Sequence, residues 1–239
     1  MPLPKIATPT YELELPSSGK TIKYRPFLVK EEKVLVIAME SEDTKQITNA
    51  IKAVLKSCVQ TKGIKIETLP TFDIEYLFLN IRGKSVGEEL EVNIICPDDG
   101  ETSVPVMVAL EDIQVEKSDD HSPQIKLDSN LMMEMKYPSL DEFIKNNFDF
   151  NEENQMDQSF QLIASCIDKI YSDEEVWATA DCTKKEVNEF LESMNSSQFK
   201  LIEKFFETMP KLQHTIEVTN PKTKVKSEVV LEGLASFFG

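Results

Sequence analysis

The sequence predicts an α+β protein, because helical and strand patterns occur in separate runs instead of alternating regularly. Apolar residues recur with helical spacing between residues 30 and 84, and they alternate with polar residues between 90 and 137. Helical patterns then return until a last alternating run. We therefore expect an N-terminal domain of helices plus β-hairpins over 1–138, and a mainly α-helical domain over 139–239 that a C-terminal β-hairpin closes.

The first elements are a short hairpin and a pair of helices. Tyr11, Leu13 and Leu15 alternate with glutamates, a turn follows at 16–19, and the alternation resumes at Ile22 and Tyr24. Helical patterns cover 30–39 and 47–58. The second of these places its apolar residues on one stripe, which is typical of a helix that packs on a core.

A third helix begins after Pro70, and its apolar residues cover almost every side. Such a helix is buried or docked. We expect Phe72, Tyr76 and Leu79 in the core of the first domain. A hairpin near 90–110 follows, with Cys96 at the end of its first strand and a turn over 97–100.

Short alternating runs at 113–115, 125–127 and 133–137 predict further strands. Beyond the boundary near 138, capping-box patterns at Ser139–Glu142 and Thr183–Glu186 indicate helix starts. Phe160, Ile163, Ala164, Ile167 and Ile170 then share one helical face, and another helix ends before Pro210.

The terminal hairpin, 214–231, turns at Asn220–Thr223. The order of helix 197–209 and hairpin 216–231 repeats that of helix 71–84 and hairpin 90–110. Both a true duplication and a chance recurrence of a common motif explain this pattern, and the sequence leaves the choice open.

The charge of the chain excludes two classes of partner. Asp and Glu number 42 against 26 Lys and Arg, giving a net charge of −16. A phosphate backbone or an anionic lipid surface would repel such a chain, so we expect no nucleic acid and no membrane partner. Fourteen acidic residues and four lysines lie between 139 and 195. They form either a solvated helix surface, the favoured interpretation, or a face for a basic partner.

The N-terminus lacks the apolar core of a signal peptide, and no apolar run is long enough to span a bilayer. We therefore expect the chain to work in a cytoplasm. The four cysteines never form a C-x-x-C pair, so we expect them to be reduced and mostly in the core.

Signatures of catalysis and of cofactor binding are missing. The two histidines, His121 and His214, have no nucleophile motif beside them, and we expect both on the surface. No glycine-rich phosphate loop occurs, and Cys96 lacks a second cysteine at zinc-ligand spacing. We expect no catalytic residue, no cofactor, no metal and no small-molecule substrate. A small hydrolase using paired acids such as Glu174-Glu175 is the remote alternative.

The C-terminal residues are the strongest candidates for partner contact. Leu234, Phe237 and Phe238 recur at helical offsets in a segment too short to form a stable helix alone. These side chains must pack against something. Either the surface belongs to a partner protein, or it belongs to this chain's own second domain.

Five stretches of the sequence together carry a resemblance to a known family. They are Leu15–Gly19 with Tyr24, Glu31-Glu32-Lys33, Phe72–Glu88, Tyr137-Pro138-Ser139, and Leu231–Leu234 with Phe237-Phe238. The resemblance is to the baseplate hub protein family of T-even-like contractile-tailed phages. It implies a non-enzymatic protein of the tail baseplate, assembled in the host cytoplasm, whose partners are other hub proteins.

Within that resemblance, a hub subunit of the virion and an assembly factor absent from the particle both remain open. A binding adaptor unrelated to phages is a separate alternative. Relatives can carry cysteine pairs at hairpin tips. This chain has Cys96 alone at the first tip and Asn220–Thr223 at the second, so the resemblance implies no metal here.

Overall fold

The chain divides into two units whose segments interleave along the sequence. The computed structural model describes residues 6–41, 43–140, 155–233 and 236. Unit 1 contains the described residues up to 66, then 72–116, then those from 211 onward, and unit 2 contains 67–71 and 117–210. Elements in both units are helices and short antiparallel strands, so the predicted α+β class is confirmed.

The described α-helices are α1 Val29–Glu40, α2 Thr44–Cys58, α3 Thr71–Val86, α4 Gln155–Cys166, α5 Lys184–Glu192 and α6 Ser196–Thr208. The described strands are β1 Tyr11–Glu14, β2 Thr21–Tyr24, β3 Glu89–Ile95, β4 Ser103–Ala109, β5 Gln114–Glu116, β6 Gln124–Lys126, β7 Met132–Met135, β8 Ile167–Tyr171, β9 Val176–Ala178, β10 Lys211–Thr219 and β11 Lys226–Glu232. Short 3₁₀ turns occur at Ile66–Thr68, Leu110–Asp112 and Thr179–Asp181. In the part of the chain that the structure describes, no helix has both the length and the apolar character needed to cross a bilayer.

Unit 1 contains three small antiparallel sheets. The hairpins β1–β2 and β3–β4 form as the alternation predicts, with Tyr11 opposite Tyr24 and Val92 opposite Val106. The third sheet has the order β11-β10-β5, with Leu212 of β10 opposite β5. This pairing joins residues from 211 onward to unit 1. The two units therefore divide the chain differently from the expected split at 138.

Helix α3 forms much of the core of unit 1. Phe72 and Leu79 are buried, as expected for a helix that is apolar on nearly every side, whereas Tyr76 is only partly buried. Gly83 on this helix lies close to the 3₁₀ turn at Leu110–Asp112. A Cβ added there would lie 2.9 Å from Cδ1 of Leu110, so only glycine fits without a shift.

Unit 2 packs helices on a four-stranded sheet of order β6-β7-β8-β9. Its core includes Met133, Ile167 and Phe205. The predicted helix through Ile170 is wrong at its end, because α4 stops at Cys166 and residues 167–171 form strand β8. The pairing of β8 with β7 shifts register between Glu134 and Met135, where β8 has one extra residue, Asp168. Two isoleucines three residues apart can then both be buried in a strand, which imitates helical spacing.

The second capping box has the predicted geometry. The backbone N–H of Glu186 donates to the Thr183 hydroxyl at 3.3 Å, and the Thr183 N–H donates to the Glu186 carboxylate at 2.7 Å. The first predicted capping box, Ser139–Glu142, lies partly outside the described residues.

Candidate protein-contact surface

Helix α1 presents apolar side chains to solvent. Glu31, Leu35 and Ala38 form its buried side. The remaining apolar residues of α1 are exposed, with 79% of Val29 and 56% of Ile37 accessible. We call the exposed set the α1 surface; it consists of Val29, Val34, Val36, Ile37 and Met39.

The spacing of the α1 surface suits a helix-to-helix contact. Val29 and Val36 are seven residues apart, which places them on one stripe of a helix, and Ile37 widens that stripe. Lys33 and Glu40 lie within the same exposed arc. Contiguous exposed apolar residues among charged ones are typical of protein-contact surfaces.

A buried ion pair fixes the start of α1. Glu31 accepts hydrogen bonds from Arg25 Nη2 at 2.9 Å, from the Leu28 backbone N–H at 2.8 Å and from the Ser57 hydroxyl at 2.8 Å. The Leu28 bond closes the first turn of α1, and the Ser57 bond ties it to α2. This network holds Leu35 and Ala38 inward and the α1 surface outward.

The electrostatics of Glu31 match this structural role. Burial alone would raise the pKa of Glu31, but the hydrogen bonds from Arg25, Leu28, Ser57 and Lys30 lower that pKa to about 2. The hydrogen bond with Glu31 also raises the pKa of Arg25. Glu31 therefore stays ionised at neutral pH and holds its donors.

The tips of hairpins β3–β4 and β10–β11 meet within unit 1. Asn220 is buried, and its Nδ2 lies 3.1 Å from both carboxylate oxygens of Asp98 and 2.9 Å from Oδ2 of Asp99. The Thr223 hydroxyl also donates to Asp98. The predicted turn over 97–100 is present, and its carboxylates bind the other hairpin, which the sequence did not indicate.

The two tips contain the same type of turn. The Gly100 N–H donates to the Cys96 carbonyl at 2.9 Å, and the Lys224 N–H donates to the Asn220 carbonyl at 2.9 Å. Both donor residues have a left-handed backbone, with φ of +68° at Gly100 and +66° at Lys224. A duplicated unit predicts this likeness between the two hairpins.

Hydrogen bonding lowers the pKa values of both tip carboxyls. For Asp98 the Thr223 hydroxyl is the main cause, followed by Asn220, and for Asp99 it is Thr102. Burial raises the pKa of the neighbouring Cys96 thiol. Over the described ranges, no group of three or more His, Cys, Asp or Glu residues has metal-binding geometry.

His121 is a buried packing residue, so its predicted surface position is wrong. Only 8% of it is exposed. Its Nδ1 lies 3.0 Å from the Thr208 hydroxyl and its Nε2 lies 3.0 Å from the Tyr137 hydroxyl. Thr208 donates its own proton to the Lys204 carbonyl, so Nδ1 carries the proton and Nε2 accepts from Tyr137. Both ring nitrogens are thus used in holding the 117–123 loop.

Leu234, Phe237 and Phe238 lie outside the described residues, and their contact role stays a prediction. The sequence analysis did not identify the α1 surface, although the sequence contains a signal for it. The apolar residues of α2 form one stripe, whereas those of α1 surround the helix, so some of them must face away from the core.

A comparison with protein families gives the wider context of these surfaces. A family model described as T4 bacteriophage base plate protein matches residues 8–239. No curated protein and no solved structure gives a significant match. The matched range contains both units, the α1 surface and both hairpin tips. Because the match extends over nearly the entire sequence, the chain belongs to the T4 bacteriophage base plate protein family.

Proposed function

We propose that this chain is a structural subunit of the central hub of the phage tail baseplate. It is assembled in the host cytoplasm and retained in the virion through contacts with other hub proteins, without catalysis, a cofactor or a small-molecule substrate. The α1 surface carries the proposal, since solvent-exposed Val29, Val36 and Ile37 need a protein to cover them.

The chemistry of the α1 surface favours an amphipathic helix of another hub protein as its occupant. The apolar stripe through Val29 and Val36 gives such a helix its anchor positions. A second copy of this chain is the weaker candidate, because two molecules with a net charge of −16 each repel one another. For a helix of another hub protein, the charges at the edge of the surface, Lys33 and Glu40, would fix the position of that helix along α1. They would not supply most of the affinity.

Leu234, Phe237 and Phe238 are proposed as a second partner contact. Phenylalanine side chains carry a large apolar area for burial, and aromatic residues are enriched in the cores of protein interfaces. Their proposed role is independent of the α1 surface, so variants of the two regions can be compared.

A hub assembly factor that leaves before the particle is complete is the main alternative, and it would use the same surfaces. Quantitative mass spectrometry of purified virions separates the two functions. A virion subunit is present in a fixed ratio to other baseplate proteins. An assembly factor is abundant in the infected cell but absent from the particle, and that result would overturn the proposal of a hub subunit.

The remote alternative of a carboxylate hydrolase predicts a different arrangement. It would need one carboxyl group held neutral beside an ionised one in a cleft. Glu174 and Glu175, the pair considered from the sequence, lie on an exposed turn between β8 and β9. This exposure favours contact over catalysis.

A further inference from the structure

We propose that the β8–β9 hairpin of unit 2 carries a second docking surface, which binds a basic segment of a partner protein. The surface consists of Trp177 with the acidic turn residues Asp173, Glu174 and Glu175. It goes beyond the proposed function, because it lies on unit 2 and does not use the α1 surface.

The aromatic part of this surface is the chain's single tryptophan. Trp177 is 41% exposed, and Val176 beside it is 67% exposed. Trp177 lies opposite the buried Ile170 in the β8–β9 pair, and more than half of its surface is covered. A tryptophan held in this way is pre-positioned, and tryptophan is among the residues most enriched in binding hot spots.

The turn before Trp177 is also held in place. The Ser172 N–H donates to the Glu175 carbonyl at 2.8 Å, and the Ser172 hydroxyl accepts from the Glu175 N–H at 3.1 Å. These bonds use only the backbone of Glu175, and the acidic side chains of 173–175 are exposed. Glu175 precedes Trp177 by two residues, the spacing that places side chains on one face of an extended chain.

Charge complementarity selects the occupant. Three consecutive acids beside an exposed indole attract Lys or Arg, since the ring face binds a cation and the carboxylates neutralise it. Lys169, the cation on the adjacent strand, is already paired with Glu134 at 3.0 Å. The surface therefore has an excess of negative charge that a basic segment would balance, whereas an acidic chain or a phosphate backbone would be repelled.

Intrinsic fluorescence tests this proposal, because all tryptophan emission of the chain comes from Trp177. The full chain is titrated with a hexa-arginine peptide, and a hexa-glutamate peptide is the probe control. We expect a saturable change in emission with the basic peptide and none with the acidic one. Replacing Trp177 by Ala should weaken binding about tenfold by calorimetry.

A charge-matched pair of variants separates a specific surface from general attraction to an acidic protein. Glu174→Gln with Glu175→Gln should weaken hexa-arginine binding severalfold. Glu203→Gln with Glu207→Gln, at exposed positions of α6, changes the net charge equally and should have little effect. Equal weakening by both pairs, or no emission change in the unmodified protein, would overturn the proposal. Equal binding of an uncharged apolar peptide would overturn the choice of a basic partner.

Discussion

The side-chain amide of Asn220 lies within 3.1 Å of both carboxylate oxygens of Asp98, although 122 positions separate the two residues. The amide orientation follows from the Lys222 backbone N–H, which donates to Asn220 Oδ1 at 2.8 Å. Nδ2 is thereby directed at the acidic tip. One asparagine thus joins two hairpins that are distant in sequence.

Removing this amide should destabilise unit 1. We expect Asn220→Ala to lower the free energy of unfolding by about 1–3 kcal/mol, because the buried side chain loses its hydrogen bonds and the facing carboxylates lose a donor. Asn93→Ala, an exposed asparagine on β3, is the control and should be nearly neutral. Urea denaturation measures both.

The Asn220→Asp variant gives the same prediction a pH dependence. It adds a third carboxylate beside Asp98 and Asp99, so the loss in its free energy of unfolding relative to the unmodified chain should be largest near neutral pH. This loss should shrink below about pH 4, because protonation of the carboxylates relieves their repulsion. A deficit that does not vary with pH would show that Asn220 does not face these carboxylates in solution.

The sequence predicted the hairpins and α3 well, because those elements depend on local alternation and on a helix that is apolar on most sides. It could not predict the contact of Asn220 with Asp98, since hydrogen bonds between distant turns leave no periodic signal. Ile167 and Ile170 fit a helical pattern because the extra residue of the bulge, Asp168, lies between them in β8 and gives two buried strand residues helical spacing. The burial of His121 likewise depends on Phe205 and Thr208, which belong to a distant helix.

Glu31 should make the stability of the chain depend on acid pH. Its folded pKa of about 2 lies below the ordinary value of 4.5, so its stabilising contribution is complete above about pH 4.5. That contribution is lost as the pH falls from about 4.5 toward 2. The stability difference between the unmodified chain and Glu31→Gln should therefore become smaller as the pH falls from about 4.5 toward 2.

Glu32→Gln, at an exposed neighbouring position of α1, is the control for that measurement. Its stability difference from the unmodified chain should be small at every pH. A Glu31→Gln difference that is equally small would mean that the network with Arg25 and Ser57 does not hold α1.

His121 should also make the stability of the chain depend on pH, in this case near neutral pH. Burial, and secondly Lys117, lower its pKa below the ordinary value of 6.5. Below about pH 6.5 the unfolded chain takes up a proton that the folded chain resists, so stability should fall as the pH falls. His121→Gln should be less stable at pH 7.5 yet lose less on acidification to about pH 5 than the unmodified chain. His214→Gln is the control. If it alone reproduces the smaller loss of stability on acidification, His121 is not the cause of the pH dependence.

The C-terminal aromatics should matter for partner binding rather than for stability. We expect Phe237→Ala with Phe238→Ala to reduce the amount of chain recovered in purified baseplates while leaving the melting temperature unchanged. Val225→Ala with Val230→Ala removes exposed apolar groups elsewhere and is the control. If the melting temperature falls and recovery follows only the folded fraction, the segment stabilises this chain instead.

Incorporation of α1-surface variants into baseplates measures whether the α1 surface contacts another baseplate protein. Val36→Glu with Ile37→Glu places two charges on the exposed stripe, and Asn49→Glu with Ala53→Glu places two on exposed positions of α2. Each chain is expressed during infection with phage that lacks its own copy, and mass spectrometry measures its ratio to other baseplate proteins. We expect the α2 pair to be incorporated like the unmodified chain and the α1 pair, although folded, to be reduced at least tenfold. Incorporation of the α1 pair at the unmodified level would show that the α1 surface is not a contact in the baseplate.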